Sequence, residues 1–179
     1  DKSNYKSGIN LKKNLTLTGM MGVGKSTIGK AVSKELSMQF IDIDTIIEKK
    51  LKLTIHKIFE KKGEHFFRKI EEKVTLEEIR KENRIISLGG GAFMNAKIRE
   101  CITLNSKSFW LHLDVSLLEK RLVDSKKRPL LNNKNIGIDL NKIYKERKAT
   151  YSLADHKIDC NNLTTNLITK KIITLYENN

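Results

Sequence analysis

Five short apolar runs punctuate the chain: "NLTLT" (14–18), "QFIDI" (39–43), "RIISL" (84–88), "SFWLHL" (108–113) and "HKIDC" (156–160). Each is too short for a buried helix and apolar enough to be covered on both sides, the pattern of strands inside a parallel sheet. Between them the apolar positions recur with helical spacing near 25–37, 45–51, 54–82 with a break at Gly63, 95–103, 115–124, 139–154 and 164–177. Strand and helix alternate without repeat or linker, which predicts one doubly wound α/β domain: a five-stranded parallel sheet with helices on both faces. Two stretches fall outside the pattern. Residues 1–13 are polar and read as a tail ahead of a single domain at 14–179. Residues 125–138, "SKKRPLLNNKNIGI", hold the only proline and no sustained period, so they predict a loop long enough to act as a lid.

Ligands of such sheets gather at the carboxyl ends of the strands. The first strand runs into "GMMGVGKST" (19–27), in which Gly19, four residues, Gly24, Lys25 and Ser26 have the spacing of a phosphate-binding loop. Backbone N–H groups of Gly22, Val23, Gly24 and Thr27 would curl around an anion at a helix start, Lys25 would reach the terminal phosphates, and the Ser26 hydroxyl would ligate magnesium. A plain glycine turn explains neither Lys25 nor Ser26. The second strand ends in "IDID", where Asp42 and Asp44, two apart on an extended chain, face the same way. That arrangement suits one carboxylate near a metal and one near a hydroxyl acceptor, although Asp44 could also serve as a local helix cap. The third strand ends in Gly89, Gly90 and Gly91, where an ATP-hydrolysing motor usually has an acidic residue. Three glycines give a floor on which a small molecule can touch backbone; a flexible turn is the alternative.

Two arginines extend the picture. Arg147 interrupts the apolar stripe Leu140, Ile143, Tyr144, Tyr151, and a charge on a core face needs a partner. Arg68 follows Phe66 and Phe67 with Glu71 and Glu72 at ion-pair spacing, so it fits an ordinary surface pair as well as a ligand contact. A pair of guanidinium groups beside a glycine floor suits a carboxylate-bearing substrate.

Composition changes little of this. The 35 basic and 21 acidic residues leave a net charge of +14. The lysines are spread along the chain without basic blocks interleaved with aromatics, which points to anionic small substrates and away from nucleic acid. Cys101 and Cys160 have no metal-ligand spacing and read as reduced thiols of a cytoplasmic protein. No apolar stretch approaches 18 residues, so no membrane span is expected, and the polar opening lacks the apolar core of a secretion signal. The first residue is not methionine, which leaves open a longer parent chain.

In this order, "GMMGVGKST", "FIDID", "FFRKIE", "LGGGAF", "RPLL" and "ERKATY" resemble shikimate kinase, over about residues 14–177. The resemblance implies the P-loop nucleoside monophosphate kinase-like fold and transfer of the ATP γ-phosphate to the 3-hydroxyl of shikimate, a step of chorismate and aromatic amino acid synthesis. ATP and magnesium are implied as cofactors, and a monomer as the working unit. It further implies Asp44 as the shikimate-binding aspartate, Asp42 beside magnesium, Arg68 and Arg147 on the substrate carboxylate, and Gly89 to Gly91 as the floor. Arg128 of "RPLL" falls on the lid arginine and Arg121 on the arginine that packs on adenine. Lys25, Asp44 and Arg128 would then carry catalysis. Asn162 stands where the family often has a basic residue near the base. Two rival readings remain: a sugar-acid (gluconate-type) kinase on the same scaffold, and a nonenzymatic nucleotide-binding protein. A GTPase switch is disfavoured because Asn-Lys-x-Asp occurs nowhere.

Overall fold

The structure, a computed structural model, describes residues 13–123 and 136–178. The polar tail before Lys13 and residues 125–135 of the expected lid, Arg128 included, lie outside the described residues.

The five expected strands form: β1 Asn14–Thr18, β2 Gln39–Asp42, β3 Arg84–Ser87, β4 Ser106–His112 and β5 His156–Asp159. All pair in parallel, in the order β2-β3-β1-β4-β5. β1 lies in the middle, and all five of its residues are buried, as expected where helices cover both faces. The helices are α1 Lys25–Leu36, α2 Ile43–Leu51, α3 Ile55–Ile79, α4 Ala96–Asn105, α5 Val115–Val123, α6 Ile136–Tyr151 and α7 Thr165–Glu177. Leu15, Leu17, Ile85, Ile86 and Phe109 of the sheet are wholly buried, as are Val32 of α1, Ile98 of α4 and Ile172 of α7. This core fixes the strand ends on which the site is built.

Four expectations need correction. β2 stops at Asp42 and α2 begins at Ile43, so Asp42 and Asp44 do not share one face of an extended chain. The cap of α2 is Asp42, whose Oδ1 accepts from the Thr45 N–H at 3.2 Å, and not Asp44, which sits in the first helical turn. The helix expected over 54–82 ends at Ile79, and the sharp break at Gly63 has φ 82° and ψ 167°, a backbone that side chains rarely adopt. Residues 136–138, assigned to the lid, are the first turn of α6.

Candidate functional site

The crevice opens at the carboxyl ends of β1, β2 and β3, where the strand order turns. Its volume is about 880 Å³. At its phosphate end, β1 passes through residues 19–24 into α1. Gly24 is the α1 cap in a left-handed conformation, φ 99°, and offers no side chain to the helix N-terminus. The first turn of α1 also has no acidic residue. The open N–H groups and the helix dipole are thus left for an anion. Gly22 (φ 82°) and Gly24 supply the two backbone angles the curl needs. Lys25 Nζ folds back along the loop, donating to the Gly19 carbonyl at 2.8 Å and the Met20 carbonyl at 3.0 Å.

Ser26 Oγ donates to Asp42 Oδ2 at 2.6 Å. A hydroxyl and a carboxylate side by side are hard oxygen donors of the kind magnesium takes, shared with phosphate oxygens rather than caged by protein. Consistently, among the described residues no group of three or more His, Cys, Asp or Glu side chains could hold a metal by itself.

At the other end, the residues after β3 bring four charged side chains together. None of the three glycines there has a positive φ, so their reason is close approach. A Cβ on Gly89 would lie 2.9 Å from Asp44 Oδ1 and 3.0 Å from Glu71 Oε2. On Gly90 it would lie 3.2 Å from Arg147 Nη1, and on Gly91 2.6 Å from Arg68 Nη2. The floor thus has a second purpose that the sequence reading lacked: it makes room for two carboxylates and two guanidinium groups.

Arg147 is an inward residue of α6, one turn before its end, and only 8 % exposed. Its Nη1 is buried without a hydrogen-bond partner among the described residues. Such a donor is costly unless something occupies it. One turn on, the buried Tyr151 hydroxyl donates to the Gly90 carbonyl at 2.5 Å, and its ring stacks on Trp110 at 5.7 Å. That pair pins α6 against the floor and aims Arg147. Arg68 lies beyond the Gly63 break in α3, with its guanidinium over the Phe67 ring at 5.3 Å. It pairs with Glu71 at 2.9 Å and Glu64 at 3.3 Å, whereas Glu72 turns to Asn95 at 2.6 Å.

Glu71 is the residue that sequence reasoning undervalued. Its side chain is 2 % exposed, and burial raises its pKa above the ordinary 4.5; Arg68 pulls it down, while the Asp44 charge adds to the rise. The i, i+3 spacing to Arg68 was visible in the sequence, but nothing local distinguishes a buried pair from a solvated one.

Of the expected site residues, Gly22, Gly24, Lys25, Ser26, Thr27, Asp42, Asp44, Arg68, Gly89, Gly90, Gly91, Arg121 and Arg147 line the one crevice. Val23 is instead a core side chain, 5 % exposed, whose N–H bonds to Met20 within the loop. Asn162 is exposed in a left-handed turn after β5 and lines no part of the crevice. Its neighbour Asn161 makes the contacts there, exchanging two hydrogen bonds with Asp114 ahead of α5.

The profile of the family described as Shikimate kinase matches residues 21–177 of this chain. The shikimate kinase of Bacillus subtilis (strain 168) is 40 % identical, over 90 % of this chain and 88 % of that protein. The chain belongs to the shikimate kinase family. The shikimate kinase of Sulfurihydrogenibium sp. is 36 % identical, with 90 % and 96 % covered. Among solved structures, a shikimate kinase from Acinetobacter baumannii in complex with shikimate superposes with a TM-score of 0.90 at 33 % identity, covering 93 % of this chain and 94 % of that one. A gluconokinase from Sinorhizobium meliloti, at a TM-score of 0.59 and 15 % identity, shares the fold alone. The chain is therefore a kinase of the P-loop type, using ATP and magnesium to phosphorylate shikimate. No helix among the described residues is long and apolar enough to cross a membrane.

Proposed function

We propose that the crevice divides shikimate phosphorylation between two charged ends joined by Asp44. Arg68 and Arg147 bind the substrate carboxylate, each by charge-assisted hydrogen bonds across the clearance above Gly90 and Gly91. The observation that carries this assignment is the buried Nη1 of Arg147, an atom without a hydrogen-bond partner among the described residues, in the crevice lining beside a second guanidinium. A carboxylate bound there holds its ring over the floor, with a hydroxyl toward Asp44. Asp44 orients that hydroxyl and accepts its proton as the oxygen attacks the γ-phosphorus and the bond to the β-phosphate oxygen breaks. The loop N–H groups, the α1 N-terminus and Lys25 hold the phosphates and offset the charge spread over the moving group. For Lys25 this means exchanging its two loop carbonyls for phosphate oxygens. Ser26 and Asp42 would hold the magnesium ion, whose chemistry there would be to neutralise phosphate charge.

All of these side chains come from one chain, which supports a monomer as the working unit. The two free, buried cysteines support a reducing, cytoplasmic setting, and the single five-stranded sheet supports reading residues 14–179 as one domain. The test is ADP release followed with shikimate, with gluconate and with neither. Release that depends on shikimate and ignores gluconate is expected; equal stimulation by gluconate, which is also a carboxylate, would overturn the reading of the crevice as selective for a ring acid held between the arginines and Asp44.

A further inference from the structure

Arg121 lies on α5, directly against the phosphate loop. Its Nη1 donates to two consecutive loop carbonyls, Gly22 at 3.1 Å and Val23 at 3.1 Å. The same nitrogen would be 3.8 Å from a Cβ on Gly24. The next residue of α5, the buried Leu122, closes on Gly22, with a side-chain carbon 3.1 Å from where a Cβ would stand. A helix outside the loop thus grips it at two successive residues, one contact polar and one apolar.

These contacts fall where the loop has most freedom. Gly22 and Gly24 both have positive φ, and glycine turns its peptide planes at little cost. The carbonyl and the following N–H of one trans peptide point in opposite directions, so fixing one fixes the other. The Val23 carbonyl shares its plane with the Gly24 N–H, at the cap position of α1 where an anion is received. We propose that Arg121 is a positioning residue of the phosphate loop: by holding the Val23 carbonyl it presets the direction of the Gly24 N–H that receives the nucleotide's phosphates, while its hold on the Gly22 carbonyl keeps the Val23 N–H turned to Met20, whatever its face does with the base. The proposal rests on the reading of residues 19–27 as the site of the ATP phosphates.

Contact with the base and positioning of the loop make different demands on a ligand without a base. Inorganic triphosphate with magnesium, and separately MgATP, are titrated into the full chain and into Arg121→Ala, Arg121→Lys and Lys120→Ala. Lys120 is an exposed cation on the same helix that lies outside the crevice lining among the described residues, so its loss measures net charge. Arg121→Ala is expected to weaken triphosphate binding about tenfold, the scale of a lost charged hydrogen-bond donor, and Lys120→Ala by less than about threefold. Arg121→Lys keeps the charge but not the fork, and is expected to fall nearer to alanine than to the parent. The ligand-free Gly24 amide resonance is expected to move in Arg121→Ala, with the thermal midpoint unchanged because the side chain is exposed. Arg121→Ala that binds triphosphate like the parent while losing ATP would overturn the proposal in favour of a base contact. A loss no larger than that of Lys120→Ala, with the Gly24 amide unmoved, would overturn it in favour of net charge. A parent chain that bound neither ligand would instead contradict the reading of the loop itself.

Discussion

Glu71 and Asp44 approach one another over Gly89, and Arg68 and Arg147 offset the pair. Burial is the larger influence on Glu71 and raises its pKa, so the fold favours the protonated carboxyl. A raised value contributes stability that is full below the ordinary 4.5 and is lost as pH rises through the folded value. Denaturation of the parent and of Glu71→Gln across a pH series should therefore show the parent losing ground to the variant as pH rises above 4.5. A gap that moves the other way would mean that Arg68 dominates and depresses the pKa. Arg147 allows a second test at this scale. Arg147→Lys keeps the charge but loses the planar fork, and shikimate affinity should fall roughly tenfold or more, on the order of 1.5–3 kcal/mol for a charge-assisted pair. Unchanged affinity by titration would remove this side chain from the carboxylate site. Arg147 was legible because a charge broke an apolar stripe; Glu71 was not, because its burial comes from elements distant in sequence.

The residues after β3 and the helix α3 were built for each other. Gly91 leaves space for the Arg68 guanidinium, and a Cβ there would come within 2.6–2.8 Å of its Nη2, Nη1 and Cζ atoms. That guanidinium is the far end of a flexible side chain, 28 % exposed, so it can swing away at little cost to the fold. Gly91→Ala should therefore unfold within a few degrees of the parent, bind MgATP normally and lose shikimate affinity by about tenfold, the scale of one displaced charged contact. Parental shikimate binding in this variant would show that Arg68 does not act from its present position. Element boundaries were the weaker part of the sequence reading, for identifiable reasons. "QFIDI" reads as strand to its last residue, yet Asp42 caps α2 and turns the chain one residue earlier. Residues 136–138 lack a local helical period, but α6 starts there because Ile136 packs against the core.

At the scale of the whole molecule, the alternation of short apolar runs with helical periods was enough for sheet, strand count and parallel pairing, since burial on both faces leaves few other architectures. The net charge of +14 fits a crevice that must collect two anionic substrates. What the chain could not display locally was the convergence of Asp44 from α2, Glu71 and Arg68 from α3 and Arg147 from α6 over one glycine floor. The account stands on that convergence, with Asp44 between the two ends, and the most direct measurement is turnover of Asp44→Asn with shikimate alongside its affinity for MgATP. Asparagine keeps the shape and removes the charge that orients the hydroxyl and takes its proton. Turnover should fall by about 10²-fold or more, the usual scale of a lost general base, with MgATP affinity within a few-fold of the parent. Shikimate turnover within a few-fold of the parent would contradict the account.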